Sequence, residues 1–296
     1  MRESKHKQAY LIEAHKDDFV FYTLIKMLDD SENDIFIHMD IKNRQYDMEK
    51  VKDCVKNSQV YHVERTSVTW GGESQINAEL LLLKKATSIG NYQYYHLLSG
   101  ADLPIKTQDQ IKAFFAANVG KEFIRFEKTN FIYNDRVRYY HFLQEKCGRS
   151  HNVIFRGSEK IILYIQKMLH IQRNKDIAFQ KGTNWFSITD DFARYVVDKE
   201  QWIKQVFKFT YCGDEVFLQT LFIDSPYKNN LYHKEFDNDP HAIMRLIDWN
   251  RGKPYTYRMA DYDELCKSDM MFARKFDSNI DKEIVEKIYK TFSYGE

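Results

Sequence analysis

The feature that most restricts the fold is an alternation running through the first 126 residues. Short apolar runs occur at Ala9–Ala14, Asp34–Met39, Gln59–Val63, Tyr94–Leu98 and Glu122–Phe126. Between them, Phe19–Leu28, Arg44–Val55, Glu73–Ala86 and Gln108–Ala117 have helical spacing, clearest in Ile76, Leu80 and Leu83. Strands that alternate with helices at this pace pair in parallel through crossover helices. The pattern predicts an α/β fold whose mostly parallel sheet is flanked by helices. Ligands of such sheets bind beyond the carboxyl ends of the strands. Ala14 and His15, Asp40, and Asp102 stand at three of those ends. No GxGxxG follows the first run and no Walker A pattern is present, which argues against a dinucleotide or P-loop site.

From Lys128 to Arg173 the alternation weakens. Arg136-Val-Arg138-Tyr-Tyr-His141 is basic and aromatic, and Ile161–Ile171 reads as an apolar helix, so this region reads as a lid or an acceptor-side insertion. Lys181–Thr189 reads as a turn into a strand, with the helix Asp191–Val197 behind it. Gly213 and Asp214 read as a turn and an N-cap for a helix over Val216–Ile223. His241–Trp249 reads as a strand and Asp281–Lys290 as a polar helix. With no repeat, low-complexity block or linker, the sequence reads as one domain over 1–296.

Charge is balanced, with Lys+Arg 44 against Asp+Glu 43, which argues against a nucleic-acid binder. Cys54, Cys147, Cys212 and Cys266 are far apart and form no CxxC, so they read as reduced thiols. The amino terminus is polar, and no apolar run approaches the length of a membrane span. The expectation is a soluble cytoplasmic protein. It would meet the inner face of a membrane only peripherally, through a lipid-linked acceptor.

Asp214 and Glu215 adjoin the start of an apolar run. A carboxylate there can act as a general base on an attacking hydroxyl, or can merely complement a helix dipole. Two Asp-x-Asp triplets, Asp237-Asn-Asp239 and Asp261-Tyr-Asp263, could hold a metal; the first reads more simply as a turn. Trp185 suits either a sugar face or a core.

Several stretches together resemble one family. AYLIEAHK (9–16), IHMD (37–40), WGGESQINA (70–78), HLLSGADLPIKT (96–107), GTNWFSIT (182–189), Asp214-Glu215 and FARKFD (272–277) come in its order. They are similar to the core-2/I-branching β-1,6-N-acetylglucosaminyltransferases of glycosyltransferase family 14, which include the peptide O-xylosyltransferases. The resemblance spans roughly Ala9 to Asp277. It implies a GT-A-like, Rossmann-related sheet, a UDP-sugar donor, inversion at the anomeric carbon, and no metal or other cofactor. It puts the general base on Glu215, a donor-diphosphate contact on Lys275, and a nucleoside-side contact on Asp40. The second diphosphate cation of the family has no fixed match here; Arg251, Lys253 and Arg258 are the candidates. The donor side of the expected site is Ala14, His15, Asp40, Trp70, Asp102, Arg251, Lys253, Arg258, Arg274 and Lys275. Trp185 and Asp214 are placed on the acceptor side. The Golgi members' cysteine pattern and anchor are missing, so the expectation is a bacterial-type relative. It would transfer GlcNAc, or xylose, to a glycan hydroxyl in surface polysaccharide synthesis. A Mn-dependent transferase and a catalytically silent glycan- or nucleotide-binding protein are the alternatives.

Overall fold

A computed structural model describes residues 7–148 and 153–294. Its main sheet has six strands in the order β3-β2-β1-β4-β7-β6. They are β1 (Gln8–Ala14), β2 (Asn33–Met39), β3 (Gln59–His62), β4 (Tyr94–Ser99), β6 (Phe123–Phe126) and β7 (Gly182–Thr189). β1 to β4 pair in parallel. β7 runs against both β4 and β6. The expected α/β fold, a mostly parallel sheet flanked by helices, is therefore the observed architecture.

β1 reads as a continuous apolar run because both of its faces are covered. Ala9 and Leu11 join one buried cluster with Leu80, Leu83 and Phe217. Tyr10 and Ile12 join a second with Phe21, Leu24 and Ile111. The helices Phe19–Met27, Glu73–Ile89 and Gln108–Ala117 supply these layers. Two of them begin with side-chain caps, from Asp18 and from a Thr107–Gln110 capping box.

A small second sheet, in the order β5-β9-β8, was not anticipated. β5 (Asp102–Pro104), β8 (Arg245–Ile247) and β9 (Phe272–Arg274) have three residues each, too short to show a period. Asp102 lies opposite Arg274 in it. The strand expected over His241–Trp249 shrinks to β8, because Pro240 opens a 3₁₀ turn through Ile243 and Met244 turns left-handed. The helix expected over Arg44–Val55 covers only Met48–Lys52, capped by Asp47. The helix in the insertion runs Val153–Met168, earlier than Ile161–Ile171.

Asp214 is not an N-cap. Gly213–Glu215 forms its own 3₁₀ turn, entered through left-handed Cys212, and the helix starts afterwards at Phe217–Ile223. Gly182 opens β7 where a Cβ would collide with the carbonyl of Arg125 and stand 2.7 Å from Gln219 Nε2. Only glycine lets β6 and β7 approach this closely.

Candidate active site

The carboxyl ends of β1, β2, β4 and β6 and the start of β7 form one rim. Two motifs that are distant in sequence lock together there. Gly71, at a φ of 72°, turns the chain so that its carbonyl accepts from Cys212 N at 2.8 Å. Gln75 Nε2 donates to Asp214 Oδ2 at 3.0 Å, and Trp70 meets the Tyr211 ring edge-on at 5.9 Å. The start of the Glu73–Ile89 helix thus holds the turn that carries Glu215.

The Glu215 side chain is 36% exposed. Its Oε2 receives Arg136 Nη1 at 2.8 Å and lies 3.4 Å from Lys181 Nζ. Glu127 also pairs with Lys181 and accepts from the Tyr133 hydroxyl at 2.7 Å. Oε1 of Glu215 takes no hydrogen bond from the described residues. The carboxylate is anchored by one oxygen and presents the other. Arg136 and Lys181 were missing from the sequence-derived site. The basic-aromatic stretch at Arg136 was the available signal.

Behind Glu215 lies a second set of acids. Asp214 is buried, and its Oδ1 has no partner. Burial and the neighbouring Glu215 push its pKa up to about 7. Glu79, one helical turn beyond Gln75, is fully buried with both oxygens unpartnered. Burial, then Glu13 and Asp214, hold its pKa well above the carboxylate range. Burial and Asp214 raise Glu13 to about 8, opposed by Arg274. Neither Glu13 nor Glu79 was foreseen, although each is an acid in an apolar setting, one within AYLIEA and one beside Leu80.

These acids ionise near pH 4 when unfolded. The folded chain keeps their protons to higher pH, so it binds more protons than the unfolded chain over that interval. The stabilisation is complete below about pH 4 and is lost as pH rises through the raised values. Glu79→Gln keeps the shape and removes the charge. It should raise the melting temperature more at about pH 8 than at about pH 5. Equal shifts at both values would show that ionisation of Glu79 is not what destabilises the fold.

Several residues expected on the donor side have internal partners. Asp102, 1% exposed, accepts from Ser99 N at 2.9 Å, Ser99 Oγ at 2.7 Å and Arg274 Nη1 at 2.6 Å. The Arg274 guanidinium also lies 4.6 Å from the centre of the Trp185 ring, and Trp185 is buried in the core. Asp40 is buried and accepts from Lys42 N at 2.9 Å and Val68 N at 3.3 Å, with the Lys42 ammonium at 3.3 Å. It closes the turn after β2. Ala14, also buried, gives its carbonyl to Asp40 N at 2.8 Å.

The three candidate upstream cations divide. Arg251 is consumed by Asp248, by Asp261 at 2.6 Å, and by Glu264 at 2.8 Å. Lys253 and Arg258 are exposed, and neither side chain forms an ion pair with a carboxylate among the described residues. Lys275 is half-buried and has no side-chain partner there. Its main chain bonds Tyr255 O at 3.4 Å and Tyr257 N at 3.0 Å, which brings the 251–258 segment alongside it. His15 and Trp70 are exposed on the rim. Arg251→Ala should therefore lower the melting temperature while leaving UDP affinity unchanged in calorimetry. A loss of UDP affinity in the folded variant would return Arg251 to the donor site.

A mostly parallel α/β sheet whose carboxyl-end rim carries an available carboxylate and cations free of ion pairs has a form that a glycosyltransferase can take. The model of the Core-2/I-Branching enzyme family matches residues 8–270, and the chain belongs to that family. Rattus norvegicus xylosyltransferase 1 is 23% identical over 305 residues, covering 95% of this chain and 33% of that protein. Xylosyltransferase 2 of the same species is 25% identical over 285 residues, covering 89% and 31%. The chain thus spans about a third of the length of these curated relatives. Mouse xyloside xylosyltransferase 1, in its apo form, aligns over 90% of this chain and 96% of its own, with a TM-score of 0.39 and 9% identity.

Proposed function

We propose that the chain is an inverting, metal-independent transferase that moves a sugar from a UDP-sugar to a hydroxyl of a glycan acceptor. Glu215 is its base. The observation that carries this reading is the asymmetry of that carboxylate, with Oε2 held by Arg136 and Lys181 and Oε1 open. A base must reach a hydroxyl proton from a fixed position. Lys275, with Lys253 or Arg258, supplies the positive charge for the departing diphosphate. GlcNAc is the sugar suggested by the branching enzymes. Xylose stands beside it because the curated relatives are xylosyltransferases. Bacterial surface polysaccharide synthesis is the proposed setting. Hydrolysis of a UDP-sugar panel without acceptor tests the reading. Selective release of UDP from one donor supports it, and no release from any donor, with no thermal shift, speaks for a silent binding protein.

One observation favours a metal reading. Ligand atoms of His233, Asp237 and Asp239 all lie within 4.8 Å of one another. They already bond internally, His233 Nε2 to Asp237 Oδ1 at 2.9 Å and His241 Nδ1 to Asp239 Oδ1 at 2.6 Å. The other triplet is occupied, since Asp261 takes Arg251 and the Arg258 amide. Activity lost in EDTA and restored by Mn²⁺ would promote the first group.

A further inference from the structure

The helix Val153–Met168 is built inside out. Helices on a globular protein turn their apolar stripe inward. Here the one buried side chain described in the helix is polar, and the apolar residues turned inward, Ile162 and Leu163, are only half-buried. Gln166 is buried, its Oε1 accepting from Tyr140 N at 2.8 Å and its Nε2 donating to Tyr140 O at 2.9 Å. One heptad earlier, Glu159 pairs with His141 at 2.9 Å. The outward face is apolar: Ile154, Ile161, Tyr164, Ile165 and Met168 recur at helical spacing and are 76%, 60%, 65%, 44% and 60% exposed. Leu169 extends the patch at 60%. A soluble surface seldom leaves so continuous an apolar stripe without a use.

The charge around the stripe says what covers it. The chain as a whole is balanced at Lys+Arg 44 and Asp+Glu 43. Residues 145–176 carry seven Lys and Arg against three acids. Two of those acids are paired, Glu159 with His141 and Glu145 with Ser74 N at 2.8 Å, and two of the cations are engaged as well, Lys167 by Asp135 and Arg173 by the carbonyls of Gln205 and Val206. A second copy of the chain would bring the same cationic flanks together across a two-fold axis, which opposes self-pairing. An apolar stripe bordered by cations matches the boundary between acyl chains and anionic headgroups.

We propose that the helix Val153–Met168 lies in the surface of an anionic lipid bilayer and docks the protein there. The helix also fixes how the site would face the membrane. It is bonded to Tyr140 and, through Lys167, to Asp135 at 2.6 Å. Asp135 is the neighbour of Arg136, which holds Glu215. The docking helix and the proposed base thus share one segment. The proposal does not depend on which sugar is transferred or whether any is.

Co-flotation of the full chain with vesicles tests it. Binding to phosphatidylcholine–phosphatidylglycerol vesicles should exceed binding to pure phosphatidylcholine vesicles by about tenfold or more, and should weaken in high salt. The outward triple variant Ile161→Ser, Ile165→Ser, Met168→Ser should melt as the parent does and lose flotation. Because an apolar face could still pair with itself, sedimentation velocity is run on both proteins. A parental dimer abolished by the triple variant would overturn the proposal in favour of self-association. Absence of flotation with the anionic vesicles, or flotation unchanged in the folded variant, would overturn it outright.

Discussion

Glu215→Gln should bind UDP as tightly as the parent and turn over about 10²–10⁴ times more slowly. The amide matches the carboxylate in shape and can still accept from Arg136 and Lys181 through its oxygen. The turn is held by Cys212 N on Gly71 O and by Gln75 on Asp214, contacts the substitution does not touch. What is lost is the proton acceptor at the open position. Asp214, the neighbouring acid, is a poor substitute. It is buried beneath the rim, and burial, the larger cause of its raised pKa, still favours its protonated form when residue 215 carries no charge. Calorimetry with UDP and initial rates with donor and acceptor separate the two effects. Near-parental turnover in Glu215→Gln would remove Glu215 from the base role.

The main-sheet strands up to Phe126 were legible as short apolar runs, and the helices Phe19–Met27, Glu73–Ile89 and Gln108–Ala117 by their helical spacing. β1, β2 and β4 sit between two buried layers, and an apolar run is what that position demands. The second sheet was not legible. Asp102–Pro104 and Phe272–Arg274 are strands only because they find each other across 170 residues of sequence. Motif order located the rim. Which rim residues stay available could not be read from motifs, because it depends on partners far away in sequence. Arg274 and Lys275 are adjacent and formally alike. Yet Arg274 is claimed by Asp102, Ser99 and the Trp185 face, while Lys275 is not. The same physics separates Arg251, consumed by three acids, from Lys253 and Arg258. Glu13 and Glu79 escaped notice because an isolated acid in an apolar stretch reads as a solvent-facing position. Here one lies in a strand covered on both sides and the other on the inner face of a helix.

Lys275→Ala should lower turnover about 10²–10³-fold, as when one preorganised oxyanion donor is removed. Negative charge builds on the β-phosphate as UDP leaves. A cation that binds it more strongly in the transition state than in the ground state raises the rate. Lys275 is the cation of FARKFD that is available for this. Its ammonium has no side-chain partner among the described residues, and its main chain runs against the segment that carries Lys253 and Arg258. A compact ammonium flanked by a second cation can do for a diphosphate what a bound divalent ion does in other transferases. The expected consequence is that EDTA leaves the parent enzyme's rate unchanged. Lys275→Arg should recover part of the loss, since charge is kept while the geometry changes. If Lys275→Ala keeps its rate, or if EDTA abolishes the parent's activity and Mn²⁺ restores it, leaving-group stabilisation passes from Lys275 to a metal. The His233–Asp237–Asp239 group would then be the place to look for it.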